Sequence, residues 1–199
     1  IKLAKESYTA MGVATTTQKN EALKAIAHLL PIRADEIITA NRIDIENGIA
    51  KEIGDGLLDR LMLNQERITA LANAISQVVT LHDPVGEVVR SSTMPNGLKL
   101  SEVRVPFGVI GAIYEARPNV TVDLTALAIK TGNAIVLRGG TAAENSNRVL
   151  VKLLQDALES VGLPRNAVQT VDDYGRDGAT AMMHARGFID VLIPRGSAN

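Results

Sequence analysis

VIGAIYEARPNVTVD, residues 109–123, passes from an unbroken apolar run through a charged corner into a new periodic pattern. Val109 to Ile113 carry no polar side chain, and the run is short enough for a strand covered on both faces, as in parallel sheets. Tyr114-Glu115-Ala116-Arg117-Pro118-Asn119 interrupts it. Over 121–131 the apolar residues recur at helical spacing, and Gly132 closes that helix at its C-terminal end. Strand, corner and helix in that order make the first half of a βαβ unit. The corner holds Glu115 and Arg117 where a buried strand hands over to a helix, which is where α/β folds build their sites.

The same punctuation repeats downstream. A second strand is expected over 134–137, ending in Arg138-Gly139-Gly140. Thr141-Ala142-Ala143-Glu144 reads as a capping box, with Thr141 as N-cap and Glu144 at the third helical position. That helix runs to about Val161 and stops at Gly162-Leu163-Pro164. A third strand over 168–171, a helix over 176–186 and a fourth strand over 190–193 follow, the last ending in Pro194-Arg195-Gly196-Ser197. Short apolar strands alternating with helices imply right-handed crossovers and a parallel sheet.

Upstream, the first eighty residues read as helices. Leu23, Ile26, Ala27 and Leu30 form one apolar stripe, ended by Pro31. A second helix covers 34–49 and closes near Gly54 and Gly56. Asn64 caps a third, with Ile68, Leu71, Ala72, Ile75 and Val79 on one face. Residues 84–105 change period: Leu98, Leu100, Val103 and Val105 have strand spacing beside a Pro95-Asn96-Gly97 turn, a hairpin pattern. Such a hairpin either pairs with a second subunit or stands as a plain edge, and the sequence leaves both open. The expected organisation is a helical part (1–83), a hairpin (84–105) and a sheet-forming part (106–199).

Composition narrows the function. Aromatic residues are 3% of the chain and Trp is absent, so the core is built from Ala, Ile, Leu and Val, which suits helices layered on a parallel sheet. A net charge of −1 provides no basic field for nucleic acid and no polybasic patch for a membrane surface. Neither a signal peptide nor an apolar run of transmembrane length is present in the sequence. There is no cysteine, which excludes disulfides, thiolate metal sites and a cysteine nucleophile within these 199 residues.

Three strand ends carry polar, glycine-rich or charged loops: 114–119, 138–141 and 194–198. Glycines let a phosphate approach the backbone, free N–H groups and a helix dipole favour an anion, and Arg138 and Arg195 add fixed positive charge. The alternative is that Gly139 and Gly140 merely make a tight turn. Neither GxGxxG nor GxxxxGK[ST] occurs. His28, His82 and His184 stand alone without metal-ligand spacing, Asp172-Asp173 reads as a solvated turn, and Ser146 and Ser197 have no base near them in sequence. The residues alone reach a nucleotide- or phosphate-binding α/β domain and stop short of a reaction.

PFGVIGAIYEARPNVTVDLTALAIKTGNAIVLRGGTAAENSN (106–147) and DVLIPRGSAN (190–199) resemble the γ-glutamyl phosphate reductase family of the aldehyde dehydrogenase superfamily, and the resemblance spans the chain, including NGLKL (96–100). It implies an aldehyde dehydrogenase-like, Rossmann-type parallel sheet with helices on both faces, preceded by helices and a protruding hairpin. It also implies NADPH-dependent reduction of L-glutamate 5-phosphate to the 5-semialdehyde with release of phosphate, in proline biosynthesis. In the superfamily a cysteine thiolate attacks the acyl carbon; that cysteine lies beyond the IPRG motif, so this chain is expected to be an N-terminal part, inactive alone.

By the same resemblance, Arg138, Gly139, Gly140, Thr141, Arg195, Gly196 and Ser197 bind the cofactor. Arg138 stands where many relatives have a lysine near the adenosine ribose, so its charge suits a 2′-phosphate. Gly196 and Ser197 match a turn beside the pyrophosphate. Pro118 matches the proline of a loop whose asparagine donates to the oxyanion; Asn119 follows that proline, out of register for this role. Arg117 is expected to bind the acyl phosphate or the substrate carboxylate, with a loop-holding pair to Glu115 or Asp123 as the alternative. A cytoplasmic homo-oligomer associating with glutamate 5-kinase is implied too. A non-catalytic nucleotide-binding module and a different acyl reductase of the superfamily are the competing readings.

Overall fold

The apolar stripes of the first eighty positions fold as α1 (Lys2–Gly12), α2 (Thr16–Ile32), α3 (Ala34–Ala50), α4 (Asp55–Leu61) and α5 (Gln65–Thr80) in the computed structural model, which describes residues 1–195. Thr15 and Gln18 cap α2 reciprocally: Thr15 Oγ1 accepts from Gln18 N at 3.2 Å and Gln18 Oε1 accepts from Thr15 N at 3.0 Å. Asn64 Oδ1 accepts from Arg67 N at 2.8 Å and caps α5, as its position suggested. Pro31 lies in the last turn of α2, one residue before its end. Helix α4 corrects the reading of Gly54 and Gly56 as a stop: Gly54 is the extended N-cap and Gly56 lies inside the helix.

The hairpin pairs β1 (Val88–Thr93) with β2 (Lys99–Val103) antiparallel, and every residue of both strands is exposed. Gly97 in its turn has φ +85, a left-handed conformation open to Gly at little cost.

Beyond it follow β3 (Val109–Ile113), α6 (Pro118–Lys130), β4 (Ala134–Arg138), α7 (Glu144–Ser160), β5 (Val168–Thr170), α8 (Gly175–Met183) and β6 (Val191–Pro194). The four strands form one parallel sheet in the order β5-β4-β3-β6. The chain moves outward from β3 through β4 to β5, then returns to place β6 on the other side of β3. Right-handed crossovers put α6 and α7 on one face and α8 on the other. The reversal makes a topological switch point between β3 and β6, the place where open parallel sheets bind ligands. Ile26, Leu30, Ile37, Ile68 and Ile75 share one buried cluster with Val136, Leu137, Leu150, Leu154 and Val168, so the N-terminal helices and the sheet pack around one core.

Two helix starts differ from expectation. Helix α6 begins at Pro118, three residues before the periodic pattern. Proline holds the preceding Arg117 extended (φ −137, ψ 94) and is itself preset for the first helical position. Helix α7 begins at Glu144, and Thr141 makes no cap: residues Thr141–Ala143 form a 3₁₀ turn. The cap comes from α3 instead. Asp44 Oδ1 accepts from Asn145 N at 3.1 Å and Oδ2 from Ser146 N at 2.8 Å. A carboxylate also complements the positive end of the helix dipole, which a threonine hydroxyl does less well.

Candidate functional site

Register places the three loops side by side. Ile113 pairs with Arg138 on β4 and with Pro194 on β6, Tyr114 N donates to Arg138 O at 3.0 Å, and Arg195 N donates to Ile113 O at 2.7 Å. Between them, at the switch point, opens a cleft of about 490 Å³ lined by Arg138, Arg195, Gly140, Thr141, Tyr114 and Glu115, among others. Arg138 is half-buried and anchored by its Nε on Gly175 O at 3.4 Å; Arg195 is exposed. Two guanidinium groups over a strand edge fit a polyanionic ligand such as a dinucleotide.

The backbone beneath the cleft is held from inside by a chain of polar groups. Thr121 Oγ1 donates to Asn147 Oδ1 at 2.8 Å, so the Tyr114 hydroxyl must donate to Thr121 at 2.7 Å. Asn147 Nδ2 donates onward to Asp172 Oδ2 at 3.0 Å, and Gly139 N donates to Asp172 Oδ1 at 2.7 Å. All five residues are buried. Burial pushes Asp172 above the usual carboxylate range, although Asn147, Gly139, Thr170 and Arg138 pull against it; burial also raises the Tyr114 phenol.

This chain corrects two expectations. Asp172 is no solvated turn residue but the acceptor that fixes the corner after β4, whereas Asp173 is exposed and pairs with Arg148 at 3.0 Å. The Gly139 amide, expected to offer itself to a phosphate, is already spent, as are the first amides of α7 on Asp44. Both glycines are set by close packing. A Cβ on Gly139 would meet Asn147 Nδ2 at 2.1 Å, and one on Gly140 would meet Ala116 N at 2.9 Å. Gly140 and Thr141 still line the cleft; Gly196 and Ser197 lie outside the described residues.

A second cleft, of about 400 Å³, opens between α4, α5 and the start of α6. Arg117, Asn119 and Asp123 line it from one side, Arg60 and Arg67 from the other. The corner after β3 is therefore a partition, with Glu115 in the first cleft and Arg117 in the second. Its tight turn is closed by Arg117 N donating to Glu115 O at 2.7 Å. The Asp123 carboxylate accepts from Asn119 Nδ2 at 3.3 Å rather than from Arg117. Sequence reading missed Arg60 and Arg67, which lie some fifty residues upstream on other helices, and offered Asp123 only as a partner for Arg117. Only Asn119 and Asp123, four apart and hence on one helix face, carried a local signal.

The remaining candidates fall outside both clefts. His28, His82 and His184 are exposed. Ser146 is buried and structural, donating to Asp44 Oδ2 at 2.6 Å and accepting from Asn41 Nδ2 at 3.0 Å. Among the described residues no group of three or more His, Asp or Glu gathers to hold a metal ion, and no helix is long and apolar enough to cross a membrane.

The model of the aldehyde dehydrogenase family matches residues 1–198. A γ-glutamyl phosphate reductase of Leifsonia xyli subsp. xyli is 54% identical over 195 residues, covering 98% of this chain and 46% of that protein. The crystal structure of γ-glutamyl phosphate reductase from Thermotoga maritima superposes with a TM-score of 0.96 at 43% identity, over 99% of this chain and 48% of the other. That from Saccharomyces cerevisiae gives 0.89 at 30% identity, over 99% of this chain and 50% of the other. The chain spans about half the length of the curated relatives it matches.

Proposed function

We propose, for a chain that belongs to the aldehyde dehydrogenase family, that it forms the cofactor-binding side of a reductase converting L-glutamate 5-phosphate to L-glutamate 5-semialdehyde and phosphate. The observation that carries this reading is the pair of arginine-bearing clefts divided by the 114–119 corner. One suits a dinucleotide at the sheet's switch point and the other a small anionic substrate. Similarity to proteins named γ-glutamyl phosphate reductase supports the choice of substrate.

Arg138 and Arg195, with Gly140 and Thr141, hold NADPH in the larger cleft, and the family resemblance assigns Gly196 and Ser197 to the same cofactor. When bound, the reduced nicotinamide supplies the hydride for the acyl carbon. Arg138 sits on the strand end with its Nε fixed on Gly175 O, and its charge neutralises the 2′-phosphate. Arg117 takes the acyl phosphate or the substrate carboxylate in the smaller cleft. Asn119 borders the same space, and its Nδ2 already donates to Asp123. The thiolate nucleophile comes from outside these residues, since none of the 199 is cysteine. Alone they lack the nucleophile that turnover needs. The exposed apolar hairpin, with Leu98 and Leu100 more than half exposed, supports a homo-oligomer. Cytoplasmic location and association with glutamate 5-kinase belong to the same reading.

Titration with NADPH and with NADH tests it. Arg138→Ala should weaken NADPH binding on the order of 10- to 100-fold, the loss of one charge-assisted phosphate contact, and leave NADH unchanged. An equal loss for both cofactors sinks the 2′-phosphate role.

A further inference from the structure

Asp123 is a carboxylate without a cation. Its Oδ2 accepts from Asn119 Nδ2 at 3.3 Å, and among the described residues no Lys, Arg or His lies within ion-pair distance of it. It is partly buried, and burial raises it above the usual aspartate range, with only the Asn119 hydrogen bond opposing. A desolvated carboxylate held by one long hydrogen bond is costly to keep unless a positive group joins it.

The cleft around it holds arginines that leave this carboxylate alone. Arg67 is committed elsewhere, to Asp59 Oδ1 at 2.6 Å, to Met62 O at 3.0 Å and to Asp59 O. Arg117 stands just ahead of α6 and Asp123 on its second turn, about 9 Å further along the axis at 1.5 Å per residue. One wall of a 400 Å³ space thus presents a guanidinium and, beyond it, an uncompensated negative charge. A ligand with anionic groups alone would meet repulsion at Asp123. A ligand carrying both an ammonium and an anion would satisfy both ends.

We propose that Asp123 is the specificity residue that receives the α-ammonium group of an amino-acid substrate whose anionic groups face Arg117. This rests on the reading that the substrate is an activated glutamate, and adds which group in the cleft selects an amino acid over its deaminated analogue.

The test runs the proposed reaction in reverse on the full-length polypeptide. Aldehyde, NADP⁺ and phosphate give acyl phosphate, NADPH and a proton. Two aldehydes are compared, glutamate 5-semialdehyde and 5-oxopentanoate, which differ only in the α-amino group. The wild type should prefer the amino substrate in kcat/KM. Asp123→Asn keeps the size and an oxygen for Asn119, and should raise KM for glutamate 5-semialdehyde on the order of 10- to 100-fold while leaving 5-oxopentanoate unchanged or improved. The ratio of the two substrates is insensitive to partial loss of fold, which lowers both rates alike. A ratio unchanged by Asp123→Asn overturns the assignment. A wild type inactive on both aldehydes overturns the proposed reaction itself, and the Asp123 role falls with it.

Discussion

Replacing Asp44 by Ala measures the tertiary cap on α7. The side chain is 2% exposed and makes four hydrogen bonds: Oδ1 accepts from Asn145 N and Nδ2, and Oδ2 from Ser146 N and Oγ. In Asp44→Ala, Asn145 is half-buried and reaches water, but Ser146 is fully buried and keeps two donors without acceptors. Each such orphan costs about 1–3 kcal/mol, and relief of the carboxylate's own desolvation offsets part of the sum. The expected loss is about 3–5 kcal/mol, a large share of the roughly 5–15 kcal/mol that holds a domain folded. At about 2–4 °C per kcal/mol for a chain of this size, the melting temperature should drop by about 6–20 °C. Thr141→Ala is the control. A working capping box would cost about 1 kcal/mol there, whereas a residue that makes no cap should cost less than about 0.5 kcal/mol. Urea unfolding followed by circular dichroism, with both variants in parallel, separates the two. If Asp44→Ala loses less than Thr141→Ala, the cap has been placed on the wrong residue.

Gly139→Ala forces a methyl to 2.1 Å from Asn147 Nδ2, so Asn147 must release Asp172; a loss of about 1–3 kcal/mol is expected in urea unfolding, and a neutral result would mean that the corner relaxes freely. Stability should also fall in acid. For Asp83, burial raises the carboxyl, but Lys19 at 2.6 Å, Thr16 and Val85 N outweigh it and the net value is lowered. Such a group adds stability that is complete above the unfolded aspartate value, about 3.9, and lost as pH falls through the lower folded value. Asp123 and Asp172 are raised and act oppositely, adding stability at low pH that is lost as pH rises through their folded values. Asp83→Asn should therefore flatten the decline below pH 4 in urea midpoints measured from pH 3 to 7, and an unchanged slope would contradict the bridge.

What could be read ahead of the structure was whatever depends on near neighbours. Buried on both faces, β3 and β4 left uninterrupted apolar runs, and the arginines that follow the strands could be assigned to a sheet edge on spacing alone. The apolar pattern puts the start of α6 three residues late; Pro118, whose fixed φ is the stronger local signal, marks where the helix begins. The cap of α7 was not legible at all: its acceptor lies about a hundred residues earlier, and Thr141-Ala-Ala-Glu144 satisfies the local pattern just as well. Asp172 misled for the same reason. A pair of aspartates between strand and helix looks solvated until Asn147 and the Gly139 amide are brought to it. Arg60 and Asp123 share a cleft only because α4, α5 and the start of α6 border one space, and no spacing encodes that.

The internal capping has a chemical consequence for the larger cleft. Phosphate sites on parallel sheets commonly use a glycine turn and a helix N-terminus, whose free amides meet the anion. Here the Gly139 amide and the first amides of α7 are already bonded to the carboxylates of Asp172 and Asp44. Those carboxylates stand where a phosphate would otherwise be welcome, and they repel another anion at that spot. On the proposed cofactor reading, recognition then falls to side chains that project past the corner, chiefly Arg138 and the exposed Arg195. Guanidinium charges at a half-open surface are screened by salt within about 8–10 Å at physiological ionic strength, whereas amides in a closed nest are screened far less. Affinity for a phosphorylated cofactor should accordingly decline as salt is raised, and decline less in Arg138→Ala, which has one charge fewer to screen.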